Sequence, residues 1–362
     1  MFKIYTYQLP FKNVFTTAAG TFSNRRGAII RYHDAVTDIV AEAAPLPGFS
    51  SETLPEVLHI LSAVRDNAGR FFAAPFTIEQ LGSWLARQPD IPSVQFALSS
   101  LGLSLICIRE ECTLPQLFSV PKLRSVPMNG VLGDLPEQEF LTRANSLAEA
   151  GFTTLKCKVK QETGHLPGSL SSLHGTHPNL SFRLDANRSW PLDDVSKNSK
   201  KFSRLPVEYI EEPAPVATLQ AFMKLRTICS LPVAADESIS QFGLNELINQ
   251  PKLPDRLIIK PTLAGNLIDL FATIRSRDHL DDKVIITTAL ESAVGTRMIA
   301  AIAALLGKPN RAHGLNTGTL FRKSIAVETG IYGSVFSFDE KMRAWFTFSQ
   351  LNQQAIFSYP DG

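Results

Sequence analysis

From residue 125 onward, short runs rich in β-branched and apolar residues return at nearly constant intervals: 125–131, 154–159, 181–186, 207–211, 232–236, 256–260, 284–288 and 312–316. The starts of these eight runs lie 24 to 29 residues apart. A strand followed by a helix-length spacer is the period of a parallel βα unit, and eight units predict a closed α/β barrel. The spacer at 161–178 carries Gly164, Pro167, Gly168, Gly175 and a run of serines, which predicts a short or irregular helix. Residues 1–122 read differently. Alternation over 2–7, a small-residue loop over 16–24 and an apolar run over 27–32 predict a hairpin, and helix-like segments follow at 52–67, 78–87 and 94–106. Strands followed by helices predict an α+β domain. The expected organisation is that domain over 1–122, a barrel over 123–330, and a tail over 331–362. The FSF and WFTF runs of the tail predict extra strand returning to the first domain.

In such a barrel, chemistry collects at the C-terminal ends of the strands. The predicted strands end on Lys156-Cys157-Lys158, Asp185-Ala186-Asn187, Glu211-Glu212-Pro213, Asp236-Glu237-Ser238 and Lys260-Pro261. Residues two apart share a face, so Lys156 and Lys158 point together, as do Arg183, Asp185 and Asn187. If these faces line the mouth, three consecutive strands each deliver a carboxylate there: Asp185, Glu211 and Asp236. Lys158 precedes them by one strand and Lys260 follows by one. Glu212 is an alternative to Glu211, although it alternates out of phase with its neighbours. Three close carboxylates cannot all stay ionised without a cation, and an all-oxygen set favours Mg²⁺ over zinc. Such an ion would stabilise the charge that develops when a proton α to a carboxylate is removed. A lysine beside that positive charge could take the proton. A lone KxK or DxN is ordinary strand-end sequence; the order and the period together carry the reading.

On these residues the chain resembles the enolase superfamily, over about 125–320 and in its two-part layout. The resemblance implies an α+β capping domain on a modified TIM barrel of (β/α)7β type. It implies Asp185, Glu211 and Asp236 as Mg²⁺ ligands, with Mn²⁺ as a substitute. It implies Lys158 as the base, Lys156 as its electrostatic neighbour and Lys260 as the opposing cation. The stretches RLDANRSW (183–190), IEEP (210–213), ADES (235–238), IIKPTLAG (258–265) and TTALESAVG (287–295) are similar to the o-succinylbenzoate synthase branch of that superfamily. That similarity implies a lyase of menaquinone biosynthesis. The reaction would dehydrate 2-succinyl-6-hydroxy-2,4-cyclohexadiene-1-carboxylate to 2-succinylbenzoate through an enediolate, so the implied partner is a small dicarboxylate. Specificity is expected from the capping loop near 19–26, where Thr21 and Ser23 are candidate contacts, and from the ends of the last two strands. Arg183 and Asn187 are expected beside the metal or a substrate carboxylate. Ser292 is expected either to hold the succinyl carboxylate or to cap a helix. Two rivals stand beside this reading. One is an isomerase on the same scaffold, an N-acylamino-acid racemase or dipeptide epimerase, with a muconate-type cycloisomerase more distant. The other is a binding barrel without a reaction. The segment 313–319 has no acid to hold a dipeptide's ammonium group, and no lysine or ligand position is missing.

Thirty-six Lys and Arg against 34 Asp and Glu leave a formal charge of +2, which offers no electrostatic case for nucleic acid or an anionic membrane. Cys107, Cys112, Cys157 and Cys229 include no CxxC pair and predict reduced thiols in the cytoplasm. The first residues lack the apolar core and cleavage site of a secretory signal. The longest greasy stretch, 298–306, falls short of the ~20 residues that span a bilayer and predicts a buried barrel helix. His165, His174 and His177 are expected in a solvated loop. Oligomeric state, monomer or homo-oligomer, has no signature in the sequence.

Overall fold

In the computed structural model the described residues are 1–17, 20–162, 164–326, 330–339 and 343–359. Ala18 and Ala19 of the expected small-residue loop, Thr163 of the weak spacer, residues 327–329 at the end of the expected barrel, and parts of the tail lie outside them. The chain opens with a hairpin of β1 (Phe2–Thr17) and β2 (Gly20–His33), in register from Phe2 opposite Tyr32 to Pro10 opposite Asn24. A third antiparallel strand, β3 (Asp38–Ala43), joins β2. Strand alternation gives this sheet two buried faces. Ile4, Ile30 and Ala41 face the cap's helices, whereas Tyr7, Leu9, Ile29 and Val40 pack with Ala289, Leu290 and Val294 of the barrel.

Three helices cover the sheet: Leu54–Ala73, Ile78–Leu85 and Pro92–Arg109. The first starts at a Thr53–Glu56 capping box that encloses Pro55 in the first turn. Pro92–Arg109 runs between the cap sheet and the barrel and is buried nearly all round, which explains its lack of a polar face. By length and composition alone it could cross a bilayer, yet 83% of that window is buried inside the fold. The expectation that 298–306 is the longest apolar stretch is therefore corrected, although that stretch does lie in the buried helix Ala293–Leu305.

The barrel starts differently from the expected single strand at 125–131. The run splits into β4 (Ser125–Pro127) and β5 (Gly130–Gly133). Next come β6 (Thr154–Lys158), β7 (Ser181–Asp185), β8 (Val207–Glu211), β9 (Val233–Ala235), β10 (Arg256–Ile259) and β11 (Val284–Ile286). Strands β5 to β11 form one parallel sheet in sequence order. The expected eighth strand at 312–316 appears as two single bridges. His313 donates to the Pro127 carbonyl on one edge, and Gly314 donates to the Ile286 carbonyl on the other, so the cylinder closes. The fold is a modified TIM barrel with an α+β cap.

The weak spacer holds an eleven-residue helix, Leu166–Thr176. His165 and His177 flank it and are hydrogen-bonded to Ser169 and Asn145, so they are not in a solvated loop. The tail divides its strands between the two parts of the molecule. β12 (Ile331–Tyr332) and β13 (Val335–Ser337) form a hairpin on β4, and β14 (Ile356–Ser358) returns to β1 as expected. Inside the barrel, Tyr209, Ala234, Ile258 and Ile285 form a separate apolar cluster from four successive strands. Period-two alternation then places Glu211, Asp236, Lys260 and Thr287 one layer above that plug.

Candidate active site

The strand register assembles the predicted ends. Lys158 stands opposite Asp185 on β6 and β7, and Asp185 stands opposite Glu211 on β8. Lys156 Nζ lies 2.5 Å from Glu211 Oε2 and 2.8 Å from Asp185 Oδ2. Lys260 Nζ pairs with Asp236 Oδ1 on the other side. Lys158 is exposed and, among the described residues, forms no ion pair. No three acidic, His or Cys side chains among the described residues surround a single point at ligating spacing. Lys156 instead stands between two of the carboxylates and Lys260 holds the third.

The charges in this cluster act on one another at close range. Burial, with repulsion from Asp185 and Asp236, pushes Glu211 up to about 8 against the pull of Lys156. Burial also acts to raise Asp185, but Lys156, with Lys260 and Lys158 beyond it, holds that carboxyl below its usual range. Burial disfavours both ammonium groups, yet the surrounding carboxylates keep Lys156 well above its ordinary value and raise Lys260. The sequence reading passed over a fourth acid, Glu237. Burial and the charges of Asp236 and Glu212 raise it, and its Oε2 is buried without a hydrogen-bond partner among the described residues. Four acids, one with an orphaned oxygen, are an oxygen-donor set that fits a hard divalent cation.

Glu211 and Glu212 are told apart by their partners. Glu211 faces Lys156. Glu212, at φ +40°, turns away and accepts from the Asp236 and Ser238 amides at 2.9 and 2.8 Å, from the Ser238 hydroxyl and from Arg188. It therefore fixes the loop that presents Asp236. Asn187 stays at the rim, its amide 3.2 Å from Asp185 Oδ1 and its side chain 3.3 Å from Glu237 Oε1.

Arg183 is only 1% exposed. It donates to Glu208 at 2.8 Å, to Asn129 and to the Ala312 carbonyl, and so ties β7 to both sides of the closing seam. These partners spend its guanidinium on the lower barrel, away from the expected place beside a substrate carboxylate. Ser292 is likewise corrected in favour of the cap: its hydroxyl accepts from Val294 at the start of a helix. Its amide and hydroxyl both donate to Glu42, which leaves neither for a substrate.

Glu42 and Arg25 were not found from sequence. Glu42, 1% exposed, reaches from β3 to take hydrogen bonds from Tyr7, Ser292 and Gly295. Arg25, 3% exposed, donates to the carbonyls of Ala44, Pro45 and Leu290. Together they hold the cap to the loop after β11. In that loop Glu291, wholly buried and bonded by Thr262, is pushed up by burial to about 7. Thr21 and Ser23 line a separate cavity of about 670 Å³ inside the cap, which none of the mouth carboxylates or lysines lines. The cap meets the mouth through Phe49, whose ring centre is 5.3 Å from Lys260 Nζ.

Comparison with known proteins agrees with this geometry. Residues 139–253 match a family described as enolase C-terminal domain-like, and residues 1–105 match the family of MenC N-terminal domains. The chain is similar to the o-succinylbenzoate synthase of Haemophilus influenzae, 27% identical over 87% of this chain and 89% of that one. It is similar to that of Photorhabdus laumondii at 26% identity over 94% and 98%. Among solved structures, the o-succinylbenzoate synthase of Thermosynechococcus elongatus, complexed with Mg in its active site, superposes with a TM-score of 0.66 at 24% identity, covering 89% of this chain and 94% of that one. The L-Ala-D/L-Glu epimerase of Bacillus subtilis superposes at 0.78 with 18% identity, covering 94% and 96%. With residues 1–105 and 139–253 each matched to such a family, the capped barrel in place and the acids and lysines at its mouth, this chain is an enzyme similar to those of the enolase superfamily.

Proposed function

We propose that the protein dehydrates 2-succinyl-6-hydroxy-2,4-cyclohexadiene-1-carboxylate to 2-succinylbenzoate by abstraction of the proton α to a carboxylate. The observation that carries this reading is the division of labour among the lysines. Lys156 and Lys260 are held protonated by carboxylates, while Lys158 reaches the same mouth without an acid partner among the described residues. Asp185, Glu211 and Asp236 would hold Mg²⁺, or Mn²⁺ in its place. That ion supplies positive charge where the substrate carboxylate becomes more negative. Lys158 takes the α-proton. Lys260, pinned by Asp236, presents a fixed ammonium to the developing enediolate from the other side. Lys156 keeps Asp185 and Glu211 in register. Loss of the ring hydroxyl completes the aromatic ring, and the proton on Lys158 balances it as water. The same reading takes a cytoplasmic protein with a small dicarboxylate as its partner.

The family relation also supports a racemase or epimerase, which would use Lys158 and Lys260 as two bases on one carbon. An ultraviolet assay with the cyclohexadiene substrate, alongside N-acylamino acids in deuterated water, separates the two. Turnover of the diene is expected. Proton exchange of acylamino acids without diene turnover would overturn the dehydratase reading. Exhaustive EDTA treatment is expected to abolish the reaction and Mg²⁺ or Mn²⁺ to restore it; full activity after chelation would remove the metal from the scheme.

A further inference from the structure

The opposite end of the barrel carries the opposite charge. Beneath the apolar layer of Tyr209, Ala234, Ile258 and Ile285 opens a second cavity of about 400 Å³. Arg183, Arg256, Arg311 and Lys308 line it, and Glu208 is the acid among its lining residues. Glu208 is already spent: it accepts from Arg183 at 2.8 Å, from Ser181 at 2.6 Å and from Thr154 at 3.1 Å. Lys308 is spent as well, on Asp281 at 3.2 Å and Asp282 at 2.6 Å.

Among the described residues, neither of the two remaining guanidinium groups has a carboxylate to itself. Arg256 donates to the Asp255 carbonyl, while the Asp255 carboxylate is taken by Arg226 and the Val233 amide. Arg311 donates to the carbonyls of Asp281 and Val284, and its nearest acid, Asp282, is 3.8 Å away and shared with Lys308 and His279. Two guanidinium forks thus share one cavity above a third that is buried and neutralised. Burial and the charges of Arg256 and Arg183 press the Arg311 guanidinium down from its ordinary value, and Arg183 and Arg311 do the same to the buried His313 imidazole. Like charges this close are relieved by an anion, and planar guanidinium forks match tetrahedral oxyanions through paired hydrogen bonds.

We propose that this N-terminal mouth of the barrel binds a small dianion of the phosphate type between Arg256 and Arg311. The site is remote from the proposed chemistry and independent of it. Free phosphate and the terminal phosphate of a nucleotide share the recognised group.

The test is calorimetric titration of inorganic phosphate, and separately of ADP, into the full chain at matched ionic strength in chloride. One-site binding is expected. Arg256→Gln and Arg311→Gln should each weaken it by about tenfold or more, and Lys158→Ala, at the other mouth, should leave it unchanged. Tighter binding of ADP would identify a nucleotide phosphate as the source; equal binding would identify free phosphate; either supports the site. Absence of binding, affinity unchanged from wild type in the two arginine variants, or loss in Lys158→Ala alone would overturn it. Arg311 also braces two carbonyls, so Arg311→Lys, which keeps the charge and loses the fork, serves if Arg311→Gln fails to fold. It too should bind more weakly, and wild-type affinity there would count against the proposal.

Discussion

Lys158 and Arg183 sit on neighbouring strands, and their surroundings predict opposite consequences of losing them. Lys158 is exposed and, among the described residues, forms no ion pair, so Lys158→Ala should leave the melting temperature unchanged while turnover falls about 10²–10⁴-fold, the usual contribution of a positioned base. Substantial diene turnover by a folded Lys158→Ala protein would end its role. Arg183 is buried and joined to Glu208, Asn129 and the closing segment. Arg183→Met should therefore cost about 3 kcal/mol of stability, with KM little affected, as denaturant unfolding and steady-state kinetics would show. A shift confined to KM would return Arg183 to the substrate. The acids and lysines at the mouth were legible because each ends a strand one βα unit from the next. Which glutamate of the pair faces inward was left open by sequence, since alternation fails where Glu212 enters a left-handed turn. Glu42 and Arg25 were illegible for another reason: their partners at 289–295 lie about 250 residues away, and no local pattern encodes a bond of that range.

Elements were read well where their own residues determine them and poorly where a distant partner does. The hairpin, the cap helices and strands β6 to β11 follow local alternation and periodicity. The run 125–131 broke in two because Ser125–Pro127 pairs with β13, more than 200 residues later. The eighth strand shrank to single bridges at a point of very close approach. A Cβ on Gly314 would lie 2.1 Å from Thr287 Oγ1, and the Ile286 amide is bonded by the His313 ring instead of by backbone. Glycine is thus required at 314 by space. Gly314→Ala should destabilise the protein by about 1–3 kcal/mol through overpacking, and Thr287→Gly in the same chain should recover part of that loss. Thermal unfolding of the single and double variants would decide it; additive losses would show that the contact is not the cause.

At the scale of the whole molecule, barrel closure rests on a buried histidine that must stay neutral. His313 is 1% exposed and accepts the Ile286 amide through Nδ1 at 3.0 Å. Burial, with Arg183 and Arg311 nearby, depresses its folded pKa to about 3, against about 6.5 in an unfolded chain. Between these values the unfolded state binds the extra proton, so the stabilisation is fully present above about pH 6.5 and is lost as pH falls toward 3, at up to about 1.4 kcal/mol per pH unit. Glu291 works in the other direction. Its folded pKa of about 7 lies above its unfolded value of about 4.3, so its contribution is present in acid and lost as pH rises through 7. Total stability therefore mixes opposing slopes, and the informative quantity is the difference between wild type and His313→Gln. Gln can offer an oxygen to the same amide but has no proton to gain. The gap between the two unfolding free energies should shrink steadily from pH 6.5 to pH 4 as wild type loses its advantage at the seam. A gap independent of pH would mean that His313 titrates normally and that closure does not depend on its neutrality.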